Sequence, residues 1–380
     1  MSKEGLRITS TVAATFLTTE LLLFGAAGDS ASVSSAVETA STIHECPTTT
    51  PEERAEVERL FEMPPTDSLG QGSDSNQVFQ QRRSNIGRKY GVTVPDSTLQ
   101  HELDAFDVKS KPFSYFFRAT HDFLAEYGVD LSLARPGELG LQDNQIPTET
   151  DLETPTARYE TRQIAQGFSE LPVEYFAVAG LRHVVLAKNS DDYAHAHLGD
   201  LHGVVVLNIG LLHPDNGLGP HEATHELDEA TCGSAEAMMN DPEYAALNGS
   251  MNIYDPANYP KVITYEGKIK EDVSRLINEQ GSADRAQVCA DQKTLNQDMQ
   301  KVVAQSETPS IVEEKAEMGK NIAFPERYGD VLDKNMPVYR QKFLLLMTRL
   351  YKRAPNIVRF LAATGSRTYS SDKDGFIQNC

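Results

Sequence analysis

Two histidines, His221 and His225, stand four residues apart in a segment that reads as a helix. The Gly-, Pro- and Asn-rich run Pro214 to Pro220 supplies a turn before it, and Gly233 is placed to stop it after Cys232. On a helix, positions i and i+4 share a face, so both imidazoles can reach the same point in space. Upstream, His202 to Ile209 is short and β-branched and reads as a strand, as does Arg182 to Ala187. A strand, a turn and a helix with two stacked imidazoles restrict this part of the chain to an α+β arrangement.

The pattern around these histidines carries chemistry. Neutral imidazoles are good zinc ligands, and Glu222 follows the first of them closely enough to reach a water on the same ion. This is the H-E-x-x-H arrangement of zinc metalloproteases, in which the Glu is the general base. Catalytic zinc takes three protein ligands and keeps one position open. Glu226, Leu227, Asp228, Glu229, Ala230 and Thr231 follow His225, with no Gly at the third place and no His at the sixth. That excludes the extended metzincin pattern and leaves a carboxylate from a later helix. Glu313 and Glu271 are the two candidates. Glu313 is preferred, because Glu317 lies four residues on and shares its face, so one carboxylate can bind while the other supports. Small Ala316 would let the two helices approach closely. Asp228, three residues after His225, is expected to orient a ligand imidazole.

The run His221-Glu222-x-x-His225-Glu226-Leu227-Asp228, preceded by a strand at 202–209, resembles the gluzincin-type zinc metallopeptidases. Within them it is most similar to the zinc-dependent peptidases related to the lethal-factor-type catalytic domain. Those have a downstream helix reading E-x-x-A-E, whose first Glu is the third ligand. Glu313, Ala316 and Glu317 match it, and the resemblance runs from about Leu171 to Arg353. It implies a zincin-like fold: a small twisted sheet with an edge strand, an active-site helix and a third-ligand helix. It implies one Zn2+ per chain on His221, His225 and Glu313, with Glu222 as general base and a peptide or protein as substrate. A tyrosine near the third ligand often stabilises the oxyanion in this family, and Tyr265 is the candidate by resemblance. The stretch between His225 and Glu313 is long, so Tyr265 with Glu271 stays open as the matching pair. If strand 202–209 lies at the sheet edge, an extended substrate can pair with it. A reading from another class is an inactive zincin-fold surface or secreted interaction protein. The intact Glu222 speaks against it.

The rest of the chain frames this region. Lys3 and Arg7 precede an apolar-leaning run that ends in Gly25-Ala26-Ala27-Gly28, the layout of a secretory signal peptide over residues 1–31. Glu20 inside that run makes it a poor permanent membrane span, so the expected product is secreted or on the cell surface, without a stable span. Residues 32–76 read as a flexible linker containing one short helix from Pro51 to Met63. A helical N-terminal region is expected over 77–150, with a helix from Pro112 to Gly128. The metallopeptidase domain with C-terminal helices follows over 151–365, then a tail over 366–380.

Lysines and arginines against acidic residues give 35 − 55 = −20, which argues against a nucleic-acid partner. Between Lys334 and Arg359 there are basic residues and no acidic one, and this stretch is expected to pack on the acidic body. In an exported chain, Cys232 and Cys289 are a possible disulfide, with Cys46 and Cys380 free. His195 and His197 fall on one face of a strand and are expected to be surface residues rather than a second metal site.

Overall fold

The computed structural model describes residues 46–62, 76–95, 110–169, 171–188, 194–197, 199–210, 218–248, 290, 311–323 and 337–364. The expected signal peptide and C-terminal tail, Tyr265, Glu271, Cys289 and Cys380 lie outside these residues.

The fold is α+β, mostly helical, with a small four-stranded mixed sheet. Helices α1 (Pro51–Glu62), α2 (Asn76–Tyr90) and α3 (Phe113–Ala125) precede strand β1 (Asp130–Leu133). Helices α4 (Glu149–Leu152), α5 (Pro155–Ser169) and α6 (Val173–Ala179) lead to strands β2 (His183–Ala187), β3 (Ala194–His197) and β4 (Val204–Asn208). Helices α7 (Leu218–Cys232), α8 (Ala235–Met239), α9 (Pro242–Ala246), α10 (Ile311–Ala323), α11 (Pro337–Arg353) and α12 (Pro355–Thr364) follow. Among the described residues no helix is long and apolar enough to cross a membrane.

The sheet order is β1-β2-β4-β3, with β1, β2 and β4 parallel and β3 antiparallel to β4. Val184, Leu186, Val205 and Leu207 join the main helical core. Val185, Ala187 and Val206 pack on Ala134 and Leu141 on the other face. Two covered faces explain why β2 and β4 are nearly continuous runs of apolar residues. The expectation for strand 202–209 needs correction, because β4 lies between β2 and β3 and β3 is the edge. The Ala-His-Ala-His sequence of β3 has no β-branched residue, so it gives no strand signal of its own, and a half-exposed edge strand needs none.

Two boundaries also move. β1 pairs with β2, with Leu131 opposite Val184, so a division at residue 150 would cut through the sheet. The expected short helix of the linker is α1, but it is docked rather than flexible. Val57 is fully buried, and the Phe61 ring meets Phe343 of α11 edge-on at 5.1 Å. Arg340 donates to Glu58 at 2.7 Å and to Glu62 at 3.1 Å, and Lys352 pairs with Glu53 at 2.9 Å. Arg340, Lys342 and Arg349 of the basic C-terminal stretch thus turn inward to acidic partners, while Phe343 to Met347 fill the core.

Candidate metal site

Helix α7 is held on several sides. Gly219 lies against the Phe168 ring of α5, where a β-carbon would collide with the ring edge. The Thr224 hydroxyl donates to Pro220 O at 2.7 Å and lies 2.9 Å from the Tyr175 hydroxyl of α6. At its C-terminal end Gly233 takes φ 87°, a conformation that favours glycine, and its N–H donates to Glu229 O at 2.7 Å. The sequence places this helix from about Gly219 to Cys232, and the observed bounds agree to within a residue.

His221, Glu222 and His225 are all buried, and the two imidazole rings stand 4.9 Å apart at 83°. Helix α10 brings a carboxylate to them. Glu313 Oε2 lies 3.3 Å from His221 Nε2, and Glu313 Oε1 lies 3.6 Å from His225 Nε2. One donor atom from each of these three residues falls within 4.8 Å of the others. Glu317 Oε1 stands 3.2 Å from the other nitrogen of His221, Nδ1. Glu222 Oε1 is 3.9 Å from His221 Nε2.

This donor set could hold a metal ion such as zinc. Bonds of about 2.0–2.1 Å in a tetrahedron put neighbouring ligand atoms roughly 3.3–3.4 Å apart. Glu313 Oε2 stands at that separation from His221 Nε2, and the other oxygen, Oε1, stands 3.6 Å from His225 Nε2. Two imidazoles and one carboxylate also form a catalytic donor set that leaves a fourth position open. Glu317 stands beside the ring nitrogen of His221 that lies away from Glu313.

The charges of these groups depend on one another. Burial pushes the His221 pKa down, but the Glu313 and Glu317 carboxylates outweigh it and raise it to about 9. Burial and the neighbouring His221 charge push His225 down to about 4. Glu313 is held below the usual carboxylate range by its hydrogen bond with His221, against the opposing effect of burial.

Asp228 does not orient an imidazole. Its Oδ2 accepts from Lys315 Nζ of α10 at 2.8 Å, deep in the interior, and Lys315 also pairs with Asp241 at 2.8 Å. Nothing in the spacing pointed to Lys315, because its partners come from distant parts of the chain. His195 and His197 pair in register with Val206 and Val204, so they share the sheet face opposite the one carrying Val205 and Leu207. They gather no third potential ligand among the described residues.

A second polar cluster forms on α7 beyond His225. His202 Nδ1 lies 2.6 Å from Glu226 Oε2 and 3.2 Å from Glu229 Oε2. Gly203 N–H donates to Glu226 at 2.7 Å, and Gly199 N–H donates to Glu229 at 3.0 Å. These bonds tie the start of β4 to the helix next to His225. An imidazole and two backbone donors already engage the carboxylates, and 2.6 Å is a hydrogen-bond separation rather than the edge of a coordination shell.

The disulfide also differs from expectation. Cys232, the last residue of α7, is bonded to Cys46. The polar, aperiodic sequence before Pro51 hides the fact that this arm is seated against the helix end. Arg349 Nε donates to Pro47 O at 3.0 Å, and the Thr49 hydroxyl donates to Glu243 at 2.6 Å.

No family model, curated protein or solved structure matches this chain.

Proposed function

We propose that this chain is a secreted zinc-dependent metallopeptidase, with zinc held by His221, His225 and Glu313. The convergence of those three donors, with Glu222 beside them, carries the proposal. Bound zinc supplies a Lewis acid and brings the pKa of a water ligand towards about 7. Glu222 takes the proton of the attacking water and delivers it to the leaving amine. Glu222 is only 3% exposed as a residue, so it works in a site screened from bulk solvent. Glu317 holds His221 in the tautomer that turns Nε2 to the ion. As the antiparallel edge strand, β3 is the place for an extended substrate backbone to add to the sheet. The Cys46–Cys232 bond supports export, since disulfides persist in oxidising compartments.

The test is zinc content and peptide cleavage of the purified chain beside its Glu222→Gln variant. The expected result is about one zinc per chain in both, with cleavage only in the wild type. A wild-type chain that takes up no zinc when zinc is supplied would overturn the site and the mechanism together.

A further inference from the structure

The zinc donors come from two helices far apart in sequence. Three ligands must be held to within a few tenths of an ångström, so something has to fix α10 against α7. Packing alone leaves a helix free to settle by small rotations. Glu313 and Glu317 occupy one face of α10, and the residues between them leave it on other sides.

Lys315 is 1% exposed and its ammonium reaches three acceptors: Asp228 Oδ2 at 2.8 Å, Asp241 Oδ2 at 2.8 Å and Met238 O at 3.2 Å. It also lies 5.3 Å from the centre of the Tyr244 ring. Asp228 is three residues from His225, and Lys315 is two residues from Glu313. The Lys315–Asp228 bond therefore closes a bracket between the histidine helix and the glutamate helix. Glu314, next in line, is buried and pairs with Lys342 of α11 at 2.5 Å. Three buried ion pairs, two of Lys315 and one of Glu314, thus grip α10 immediately behind Glu313.

Buried ion pairs are a poor way to gain stability, because apolar side chains of equal volume commonly do as well or better. Their use here needs another reason, and direction is what they supply: an ammonium among fixed carboxylates permits one setting of the helix where apolar packing permits several. We propose that Lys315 and Asp228 are positioning residues, acting through Glu313 and His225 to set the geometry of the zinc site. This rests on the metallopeptidase reading.

The test uses the full chain, with Lys315→Met and Asp228→Leu introduced together so that neither charge is left alone. Zinc affinity is measured by competition with a chromophoric chelator, and ligand geometry by the visible absorption of the cobalt-substituted protein. The reference is Leu345→Ala, a variant of a fully buried α11 residue outside the bracket. The paired variant is expected to bind zinc about tenfold more weakly, with an altered cobalt spectrum. Leu345→Ala should keep the wild-type spectrum even where it melts at a lower temperature. A paired variant with wild-type affinity and spectrum overturns the bracket, as does an equal loss of affinity in Leu345→Ala at the same melting temperature. Should the paired variant fail to fold, Lys315→Arg replaces it. It keeps the charge and changes the reach, and an unchanged cobalt spectrum there overturns the proposal. A wild-type chain that binds no zinc removes the functional reading and the bracket with it, whereas a zinc-replete wild type with an indifferent paired variant removes the bracket alone.

Discussion

Gly319 of α10 lies so close to Thr224 of α7 that a β-carbon at 319 would overlap the threonine hydroxyl. That hydroxyl cannot easily yield, because it is bonded to Pro220 O and lies at hydrogen-bond distance from the Tyr175 hydroxyl. Gly319→Ala must push the two ligand-bearing helices apart. Overpacking of this kind costs about 1–3 kcal/mol. Urea unfolding should show that loss, and zinc content should fall with it. A variant with wild-type stability and zinc would mean that the helices are not held at this distance.

Glu317 stands at the outer nitrogen of His221. Glu317→Ala should leave the three ligands in place and weaken zinc binding by roughly 10- to 100-fold, the usual cost of losing such a carboxylate. Glu313→Ala removes a ligand and should cost more. Chelator competition on both variants ranks them, and equal affinities for wild type and Glu317→Ala would count against the assigned support role.

Asp241 predicts a pH dependence. Burial would raise its pKa, but hydrogen bonds from Arg349 and the Lys315 charge prevail and hold it at about 2, below its ordinary 3.8. A depressed carboxylate contributes stability that is complete above its unfolded pKa and is lost as pH falls through the folded one. Asp241→Asn should therefore be less stable than wild type at neutral pH, and the gap should narrow as pH falls from about 4 to about 2. Denaturant unfolding across that window provides the measurement. A gap independent of pH would show that the carboxylate charge is not what stabilises.

The Cys46–Cys232 bond closes a span of 186 residues. Replacing both cysteines by alanine should lower stability by about 2–5 kcal/mol. Peptide mapping of the non-reduced protein should recover the Cys46 and Cys232 peptides as one linked species. Recovery of Cys232 linked to Cys289 would contradict the pairing.

What could be read beforehand was local. The extent of α7 follows from a turn, an i, i+4 histidine pair and a glycine stop, all within twenty residues. Glu313 and Glu317 stand out because four-residue spacing marks one helix face. What escaped depends on contacts between distant segments. β3 is a strand because β4 offers it a partner, although its own residues have little strand propensity. Asp228 lies on the correct side of α7 to serve a histidine, but Lys315 competes for it from 87 residues away. The arm before α1 has a linker's composition, and distant residues, among them Cys232, Glu243 and Arg349, give it a seat.

That arm also has a consequence for the order of events during synthesis. Pro47 is made 302 residues before the arginine whose guanidinium holds it, and Cys46 is made 186 residues before its partner thiol. The first described segment to be translated is thus among the last that can be seated. Its full seating waits both for the helix carrying the histidines and for α11, whereas the crosslink needs only the first of these, so the bond can close before the guanidinium that holds Pro47 has been made.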